Sequence, residues 1–359
     1  MRIFHVISGF ENGGVEMLLL RLFSHAPSDV KLHVVAHEIP VPECAERFRA
    51  SGVTVHTVPS RKHPLAHLCA LRALFRAHRP DVVHVHTTEW GALALWAAKK
   101  EGISCRIQHS HAARREKNPF VRMAHTVLFA LARRTATDYF ACGSDAARTA
   151  FGKKANCATI LKNGIDVSEF AFDAVLRRAT REALGLREGQ TAVGMVARFS
   201  PQKNHARAIE LFAAYRAKDP GAVLLLVGDG ALRAKVEAQA QKRLPKEAVR
   251  FLGVRNDMAA LYAAMDLFIL PSRFEGLPIT LVEAQTCGLP AVVADTVTRE
   301  ADLCGALSFV DTANTAEWVT AMETAAVTER GAFAVRVAAS GYSQSESAKA
   351  LWQFYQSKI

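Results

Sequence analysis

The sequence predicts an α/β fold made of two doubly wound halves, each built around a parallel sheet. Short apolar runs that suit buried strands alternate along the chain with stretches of helical periodicity. A polar, charge-rich stretch at residues 173–190 separates two such series. The chain has 359 residues, half of them apolar, which suits two domains of roughly 150 to 200 residues each.

The first series predicts a domain over residues 1–170. Its strand-like runs are Ile3–Ile7, Leu32–Ala36, Val53–Val58, Val82–His86 and Tyr139–Ala141. Helical stretches such as Glu16–Phe23 and Leu68–Ala77 lie between them. Strands joined through helices in this way are expected to run parallel.

The second series predicts a domain over residues 171–343. Its strand-like runs are Ala192–Ala197, Val223–Val227, Val249–Leu252, Leu267–Leu270 and Ala291–Ala294, each followed by a turn and a helix. A last helical segment, residues 344–359, carries Leu351, Trp352 and Tyr355 on one side. Ligands of such folds bind at the carboxyl ends of the strands, so we expect a binding cleft where the strand ends of the two domains face each other.

Residues 270–290 are the most informative part of the chain. Pro271 and Ser272 end a strand, and Gly276-Leu277-Pro278 is predicted to open a short amphipathic helix. Glu275 then lies in the loop and Glu283 on the helix. The first amides of a helix are unpaired donors that suit an anionic or hydroxyl-rich ligand, which indicates a sugar-nucleotide pocket.

Four further motifs occur along the chain. In sequence order they are Gly13-Gly14-Val15-Glu16, Asn163-Gly164-Ile165-Asp166 with Phe170, the run from Ala197 to Asn204, and Phe251-Leu252-Gly253. Together with Glu275 and Glu283, they resemble the motifs of retaining glycosyltransferases of family four, in the bacterial capsule and exopolysaccharide branch. The resemblance covers essentially the whole chain. It implies a GT-B fold, with two Rossmann-like domains facing across a cleft and the helix of residues 344–359 crossing back onto the first.

The resemblance also implies an activity. The enzyme would move a hexose-type sugar from a nucleotide sugar, with UDP as the expected nucleotide, to an acceptor hydroxyl with retention at the anomeric carbon. Glycans or lipid-linked glycans of cell-envelope polysaccharide or lipopolysaccharide synthesis would be the acceptors. A sugar-nucleotide epimerase or a phosphorylase on the same scaffold is the alternative. No cofactor beyond the nucleotide-sugar co-substrate is expected.

Arg198 and Lys203 follow a predicted strand and precede a helix that Asn204 is placed to cap. A fixed arginine and lysine can stabilise the charge of a departing diphosphate. The sequence has no Asp-x-Asp element, which metal-dependent transferases use, so we expect no metal. Two solvated surface cations are the alternative.

By resemblance, Glu283 accepts hydrogen bonds from the ribose hydroxyls and Glu275 from the donor hexose. The backbone from Gly276 through Leu277 to Pro278, which lacks an N–H, would hold the sugar and phosphate. The alternatives are an exposed helix carboxylate for Glu283 and a helix-start acid for Glu275.

By resemblance, the base is expected beside Val254 and Arg255, and a guanidinium can stack on uracil. A surface arginine near Asp257 is the alternative for Arg255. The turn Gly228-Asp229-Gly230 follows a strand, and it is either near the ligand or simply a tight connection.

In the first domain, Gly13 and Gly14 follow the first strand, where backbone without side chains can approach phosphate or sugar. The dinucleotide fingerprint Gly-x-Gly-x-x-Gly is missing there, which counts against a dehydrogenase. The pairs His84-x-His86 and His109-x-His111 have a spacing that metal ligands use, but carboxylates are sparse nearby and no metal is expected. By resemblance His111 contacts the donor sugar, with a core or surface histidine as the alternative.

The net charge is +11, most of it in residues 1–175. Residues 112–134 interleave basic and apolar side chains, namely Arg114, Arg115, Lys117, Arg122, Arg133 and Arg134 with Phe120, Val121, Val127, Leu128 and Phe129. This segment predicts either peripheral contact with an anionic membrane or a helix packed on its domain with solvated arginines. A basic nucleic-acid-binding protein is a remote alternative, since no recognition helix, aromatic platform or zinc finger is visible, and no nucleic acid is expected.

Seven scattered cysteines without Cys-x-x-Cys spacing argue against a disulfide framework. No apolar run is long enough to span a membrane, and Met1–Ile7 has no signal-peptide core. We therefore expect a cytoplasmic protein, in peripheral contact with the inner face of the plasma membrane if the basic segment docks there.

Overall fold

Two separate parallel sheets organise the chain. The computed structural model describes residues 1–11, 13–87, 90–111, 119–325 and 329–359, with the side chains of residues 119–122 excluded. The chain divides into two compact units, which are unit 1 (Met1–Gly164 with Gln344–Ile359) and unit 2 (Ile165–Ser343). Each unit has its own sheet with helices around it, so the predicted α/β class is confirmed.

Within the described residues, unit 1 contains seven strands. They are β1 Arg2–Val6, β2 Lys31–Ala36, β3 Thr54–Thr57, β4 Val82–Val85, β5 Cys105–Ser110, β6 Asp138–Ala141 and β7 Thr159–Ile160. The sheet order is β3-β2-β1-β4-β5-β6-β7 with every pair parallel. The winding therefore reverses between β1 and β4. Each predicted run corresponds to a strand with ends shifted by one residue at most, whereas β5 and β7 were not predicted.

The helices of unit 1 before residue 164 cover both faces of this sheet. They are α1 Gly14–Phe23, α2 Pro42–Ala50, α3 Pro64–His78, α4 Gly91–Lys100, α5 Pro119–Thr135 and α6 Ser144–Phe151. Proline at the first position of α2 and α3 suits a helix start, because its missing N–H would be unpaired there in any case. Along β1 the side chains alternate, so Phe4 joins the core beneath α3 and α4 while Ile3 joins the core on the other face.

Unit 2 has six strands among its described residues. They are β8 Ala192–Val196, β9 Val223–Val227, β10 Val249–Gly253, β11 Leu267–Leu270, β12 Ala291–Ala294 and β13 Leu307–Val310. Their order is β10-β9-β8-β11-β12-β13, again all parallel, so the winding reverses between β8 and β11. The five predicted strands are confirmed, and β13 was missed.

The helices of unit 2 complete the doubly wound arrangement. They are α7 Ala174–Ala183, α8 His205–Arg216, α9 Arg233–Arg243, α10 Met258–Ala264, α11 Ile279–Thr286, α12 Thr315–Thr324 and α13 Phe333–Ala339. The start of α7 is fixed by Asp173, whose carboxylate accepts hydrogen bonds from the amides of Val175 and Leu176.

The division between the units corrects the predicted boundary at residues 170 and 171. It falls after Gly164, because the amide of Ile165 donates to the carbonyl of Tyr342 and Ile165 and Phe170 are buried in the core of unit 2. The last helix, α14 Gln344–Gln356, belongs to unit 1. Its Leu351, Trp352 and Tyr355 are buried in the same core as Ile3. None of the described helices has the length and apolar character needed to cross a membrane.

Candidate functional site

In unit 2 three of the residues predicted to bind the donor lie at the point where the winding reverses. Strands β8 and β11 are neighbours, so the loop after β8 (residues 197–204) lies beside the loop after β11 (residues 271–278). The carboxyl edge of a parallel sheet at such a reversal is the usual ligand position in doubly wound folds. Arg198, Lys203 and Glu275 all lie on these two loops.

Lys203 and Glu275 form an ion pair across the two loops. The Lys203 Nζ lies 2.6 Å from Oε1 of Glu275, and Nε2 of Gln202 donates to Oε2 of the same carboxylate at 3.2 Å. Glu275 is buried and Lys203 is mostly buried. These two contacts fix the carboxylate in place, which a group that must orient a ligand hydroxyl requires. Gln202 was not among the predicted site residues.

Two further hydrogen bonds to backbone carbonyls hold the same two loops together. The amide of Arg273 donates to the carbonyl of Gln202 at 2.8 Å, and Nδ2 of Asn204 donates to the carbonyl of Pro271 at 3.1 Å. Asn204 has a left-handed backbone with φ of 59° and makes no capping hydrogen bond with its side chain. The predicted cap of α8 by this side chain was therefore wrong, because the amide is used to tie the loops instead.

The helix that carries Glu283 also differs from the prediction. It begins at Ile279 rather than at Gly276, and every residue from Leu281 to Thr286 is buried, so it is not amphipathic. The side chains of Leu277 and Pro278 are buried in the preceding loop. Gly276, Leu277 and Pro278 thus form a short connection between Glu275 and the start of α11.

Glu283 is buried, and Tyr262 Oη on α10 donates to its Oε2 at 2.9 Å. This geometry excludes the alternative of an exposed helix carboxylate. Tyr262 itself is fully buried. Sequence analysis missed it, since an apolar helical segment gives no sign that one of its side chains will reach a carboxylate 21 residues later.

Two hydroxyl groups that flank Glu275 in the sequence are buried without a hydrogen-bond partner among the described residues. They are Ser272 Oγ, after β11, and Thr280 Oγ1, in the first turn of α11. Buried hydroxyls are normally satisfied, so orphaned ones at the start of a helix suit a polar ligand. Neither was predicted, although Ser272 belongs to the strand-ending pair that the sequence singles out.

The glycines of the turn after β9 are explained by packing. Gly228 and Gly230 have φ of 125° and 151°, and a Cβ on Gly228 would lie 2.3 Å from the carbonyl oxygen of Ala197. The turn therefore supports the backbone beside Arg198, whose side chain is exposed. A tight connection accounts for these glycines without a ligand contact.

Val254 and Arg255 lie in the loop after β10, and both side chains meet solvent. Arg255 makes two hydrogen bonds to the carboxylate of Asp257, at 2.7 and 2.5 Å. This pairing raises the pKa of Arg255 and lowers that of Asp257. The arrangement matches the alternative of a surface arginine paired with Asp257, and stacking on a base stays a prediction.

In unit 1, Gly13 immediately precedes α1 and Gly14 is its first residue. The amide of Gly13 donates to Oε2 of Glu16 at 2.9 Å, so this amide is already used, and burial raises the pKa of Glu16. Gly14 does not have a positive φ, and a Cβ there would meet no described atom within 4 Å. The packing of unit 1 thus does not require glycine at position 14.

His111 follows β5 and is bonded to another histidine. Its Nε2 lies 2.9 Å from Nδ1 of His86, and burial lowers the pKa of His111 to about 4. Nitrogens of His5, His84 and His86, and of His86, His109 and His111, come within 4.8 Å of one another in two groups that could hold a metal ion. The two His-x-His pairs have the spacing that the sequence indicated, His5 was not anticipated beside them, and the absence of a metal stays a prediction.

The described residues include only part of the basic segment. Arg114, Arg115 and Lys117 lie outside the described residues, as do the side chains of Phe120, Val121 and Arg122. On the described part of α5, Met123 and Val127 are each 65% exposed, while Leu128 and Leu131 pack partly against the core of unit 1.

A cavity of about 520 Å³ lies at the opposite edge of the unit 2 sheet. It is lined by Arg177, Arg181 and Asp266, and Asp266 comes just before β11. Arg177 and Arg181 contact the Asp266 carboxylate at 2.5 and 2.9 Å. These arginines hold α7 against the sheet, and the cavity contains none of the predicted site residues.

Comparisons with known proteins match each unit to a family. The family described as Glycosyltransferase Family 4 matches residues 12–169, and the one described as Glycosyl transferases group 1 matches residues 177–323. EpsF of Bacillus subtilis (strain 168), provisionally named a glycosyltransferase, is 32% identical over 84% of this chain and 81% of its own length. A UDP-Gal:alpha-D-GlcNAc-diphosphoundecaprenol alpha-1,3-galactosyltransferase of Escherichia coli is 29% identical over 64% of this chain and 61% of its own.

Solved structures agree on the fold. Anabaena Alr3699/HepE, crystallised with UDP and glucose, superposes with a TM-score of 0.84 over 99% of this chain and 100% of its own, at 19% identity. WaaG, a glycosyltransferase involved in lipopolysaccharide biosynthesis, superposes with a TM-score of 0.69 over 99% and 95% at 17% identity. With two GT-B sheets and a relative of this similarity, the chain belongs to the family 4 glycosyltransferases and is an enzyme of that class.

Proposed function

We propose that this enzyme transfers a hexose-type sugar from a UDP-sugar to a hydroxyl of a glycan or lipid-linked glycan, with retention at the anomeric carbon and without a metal. The observation that carries the proposal is the buried pair of Lys203 and Glu275 at the β8 and β11 edge. It supports the proposal because a fixed carboxylate can accept hydrogen bonds from sugar hydroxyls and a neighbouring cation can bind phosphate.

The proposed chemistry is a displacement on one face of the sugar. The bond from the anomeric carbon to the diphosphate oxygen breaks while the acceptor oxygen bonds to the same face. The acceptor proton passes to the departing phosphate oxygen. Arg198 and Lys203 stabilise the charge that builds on the diphosphate, and the hydroxyl of Thr280 and the first amides of α11 add neutral donors. The two cations do the work of a metal, since the sequence lacks the Asp-x-Asp element.

Glu283 supports the nucleotide half of the proposal. A buried carboxylate oriented by Tyr262 keeps acceptor capacity for a vicinal diol such as that of ribose. The UDP assignment rests on the structurally similar Anabaena protein, crystallised with UDP and glucose, and on the E. coli relative named for UDP-Gal. Other relatives are named as GDP-mannose-dependent, so the base has to be measured.

Binding calorimetry with UDP, GDP, ADP and their sugar conjugates, with EDTA present, tests the donor site. We expect selective, metal-independent binding of a uridine nucleotide that weakens at least tenfold in Glu283→Gln, as for a lost charge-assisted hydrogen bond. Glu182→Gln, an exposed glutamate on α7, is the matched control. No nucleotide binding would remove the proposal and leave the fold unchanged.

Product analysis separates the rival activities. An α-configured transfer product from an α-linked donor, seen by NMR of the anomeric proton, supports retention. A free sugar phosphate formed with inorganic phosphate would indicate a phosphorylase, and a changed sugar still linked to nucleotide would indicate an epimerase.

Synthesis of cell-envelope polysaccharide, capsule or lipopolysaccharide is the proposed pathway, and the E. coli relative is named for an acceptor on diphosphoundecaprenol. Helix α5 has no acidic residue and exposes Met123 and Val127, which suits peripheral contact with an anionic membrane. Cosedimentation with phosphatidylglycerol vesicles, and not with phosphatidylcholine vesicles, is expected and should weaken in Met123→Ser with Val127→Ser. The control is Val175→Ser, at an exposed valine of unit 2.

A further inference from the structure

Five histidines line one face of the unit 1 sheet at its carboxyl edge. His5 lies on β1, His84 and His86 lie on or just after β4, and His109 and His111 lie on or just after β5. These three strands are neighbours in the sheet, which brings the rings together. The rings of His84 and His86 stack with centroids 4.3 Å apart, and those of His109 and His111 lie 3.9 Å apart.

Hydrogen bonds join three of these rings in a line. His5 Nδ1 lies 2.9 Å from His86 Nε2, and His86 Nδ1 lies 2.9 Å from His111 Nε2. Separately, His84 Nε2 lies 3.1 Å from His109 Nδ1, and His84 Nδ1 is hydrogen-bonded to Tyr355 Oη. Among the described residues no carboxylate is bonded to any of the five rings.

Burial favours the neutral form of every ring. It lowers the pKa of His5 to about 3 and that of His111 to about 4, and it lowers the pKa of His86 well below its usual value. A neutral imidazole carries one N–H and one bare nitrogen. Each ring in the line therefore donates one hydrogen bond at most.

Two arrangements of the ring hydrogens allow both hydrogen bonds of the line to form. They differ at Nε2 of His5. If His5 donates from Nδ1, then His86 donates from Nδ1 and the hydrogen of His111 is on its own Nδ1. If the line runs the other way, His5 holds a hydrogen on Nε2. That nitrogen is buried without a described partner, and an orphaned buried N–H is rarer than an orphaned acceptor.

We propose that His5 and His86 are positioning residues that fix His111 as the tautomer with hydrogen on Nδ1. Nδ1 of His111 is then a hydrogen-bond donor for any ligand that reaches it, and it cannot accept a proton. A donor at this position suits an acceptor oxygen of the nucleotide sugar, and this part of the inference rests on the proposed function. It is consistent with a reaction in which the leaving phosphate, rather than a histidine, takes the acceptor proton.

Nitrogen-15 NMR of the full chain, labelled at histidine and without substrate, reads the tautomer directly. We expect hydrogen on Nδ1 of His111 in the wild type and a mixture of tautomers in His5→Phe. His5→Asn, whose amide nitrogen can stand in for Nδ1, should restore the wild-type state, and His63→Phe, at an exposed histidine of unit 1, should change nothing. Hydrogen on Nε2 of His111 in the wild type would overturn the proposal even if no variant folds.

Kinetics and metal titration complete the test. His5→Phe is expected to lower kcat/KM for the donor about tenfold, mostly through KM, with rescue in His5→Asn. No turnover with any nucleotide sugar would refute the proposed function while leaving the tautomer result intact. Stoichiometric binding of zinc to the wild type that His86→Asn abolishes would show that these nitrogens serve a metal, and would overturn the proposal.

Discussion

The two units share one architecture but hold opposite chemistry at the same place. At its winding reversal, unit 1 presents neutral imidazoles, of which His5 and His86 are bonded to each other. Unit 2 presents a cation and a carboxylate at its reversal, in the pair of Lys203 and Glu275. The parallel sheet decides where a site forms, and the residues at the strand ends decide what it can bind.

This difference predicts a division of labour. A charged pair in a mostly buried setting suits a diphosphate and a polar sugar, because its charges are fixed before the ligand arrives. Neutral rings supply hydrogen bonds without repelling or attracting charge. We therefore expect acid to lower the stability of unit 1, and we expect the loss of charged side chains in unit 2 to lower turnover.

The largest expected effect is acid destabilisation of unit 1. The pKa of His5 is about 3 in the folded chain and near 6.5 when exposed, so the unfolded state binds more protons between these values. Stability contributed by this group is complete above pH 6.5 and falls as the pH drops, by roughly 3 kcal/mol at pH 4 for His5 alone. Four further buried rings add to the loss, and the raised pKa of Glu16 offsets part of it.

Tryptophan fluorescence follows each unit separately. Trp318 is the one tryptophan of unit 2, whereas Trp352 reports on α14 in unit 1. Unit 2 has a single histidine, His205, whose pKa burial lowers to about 4, so its own acid loss should be smaller. If variants that retain only Trp318 or only Trp352 showed equal loss of urea stability from pH 7 to pH 4.5, the contrast between the units would be wrong.

Next in size is the loss of turnover when the charged pair of unit 2 is broken. Lys203→Met and Glu275→Gln should each lower kcat about 100-fold or more, as for other preorganised transition-state contacts. The double variant should be no worse than the poorer single one, since either change disrupts the same unit. Lys242→Met, at an exposed lysine on α9, is the control and should retain normal rates. Near-normal rates in the single variants would remove Lys203 and Glu275 from the site.

Glycines sharpen the comparison in terms of stability. Gly228→Ala places a Cβ against the Ala197 carbonyl at a positive φ, so we expect a loss of about 2 kcal/mol or more in urea unfolding. Gly14→Ala meets open space in the first turn of α1 and should change stability by less than about 0.5 kcal/mol. A fall in kcat/KM for Gly14→Ala at unchanged stability would show that its backbone approaches the substrate. Full activity would assign the glycine no such role.

Strands and helix ends could be predicted where a short stretch of sequence is enough to define them. Leu267–Leu270 is a continuous apolar run ended by proline, so β11 and its loop follow directly from the sequence. Strand β5 was missed because Arg106, Gln108 and His109 interrupt its apolar residues. The start of α11 was placed too early because Gly276 breaks a strand as readily as it begins a helix.

The side-chain contacts at the site could not be predicted from the sequence, for a different reason. Lys203 and Glu275 are 72 residues apart and meet only because β8 and β11 are neighbours in the sheet. His5 and His86 are 81 residues apart and meet because β1 lies beside β4. Strand order is set by packing of the whole unit, so the residues of the site could be named individually but not paired.

The smallest effect that we predict concerns the single hydrogen bond between Tyr262 and Glu283. Tyr262→Phe removes only the hydroxyl that donates to Glu283 and leaves the ring in the core. It should cost about 1 kcal/mol of stability and weaken nucleotide binding by less than tenfold, because the carboxylate remains and only one hydrogen bond that orients it is lost. Tyr215→Phe, at another tyrosine buried in the core of unit 2, controls for the loss of a hydroxyl. Calorimetry measures the nucleotide affinity of both variants. If both bind nucleotide equally well, Tyr262 serves the core alone. If only Tyr262→Phe binds more weakly, Tyr262 orients Glu283 for the ligand.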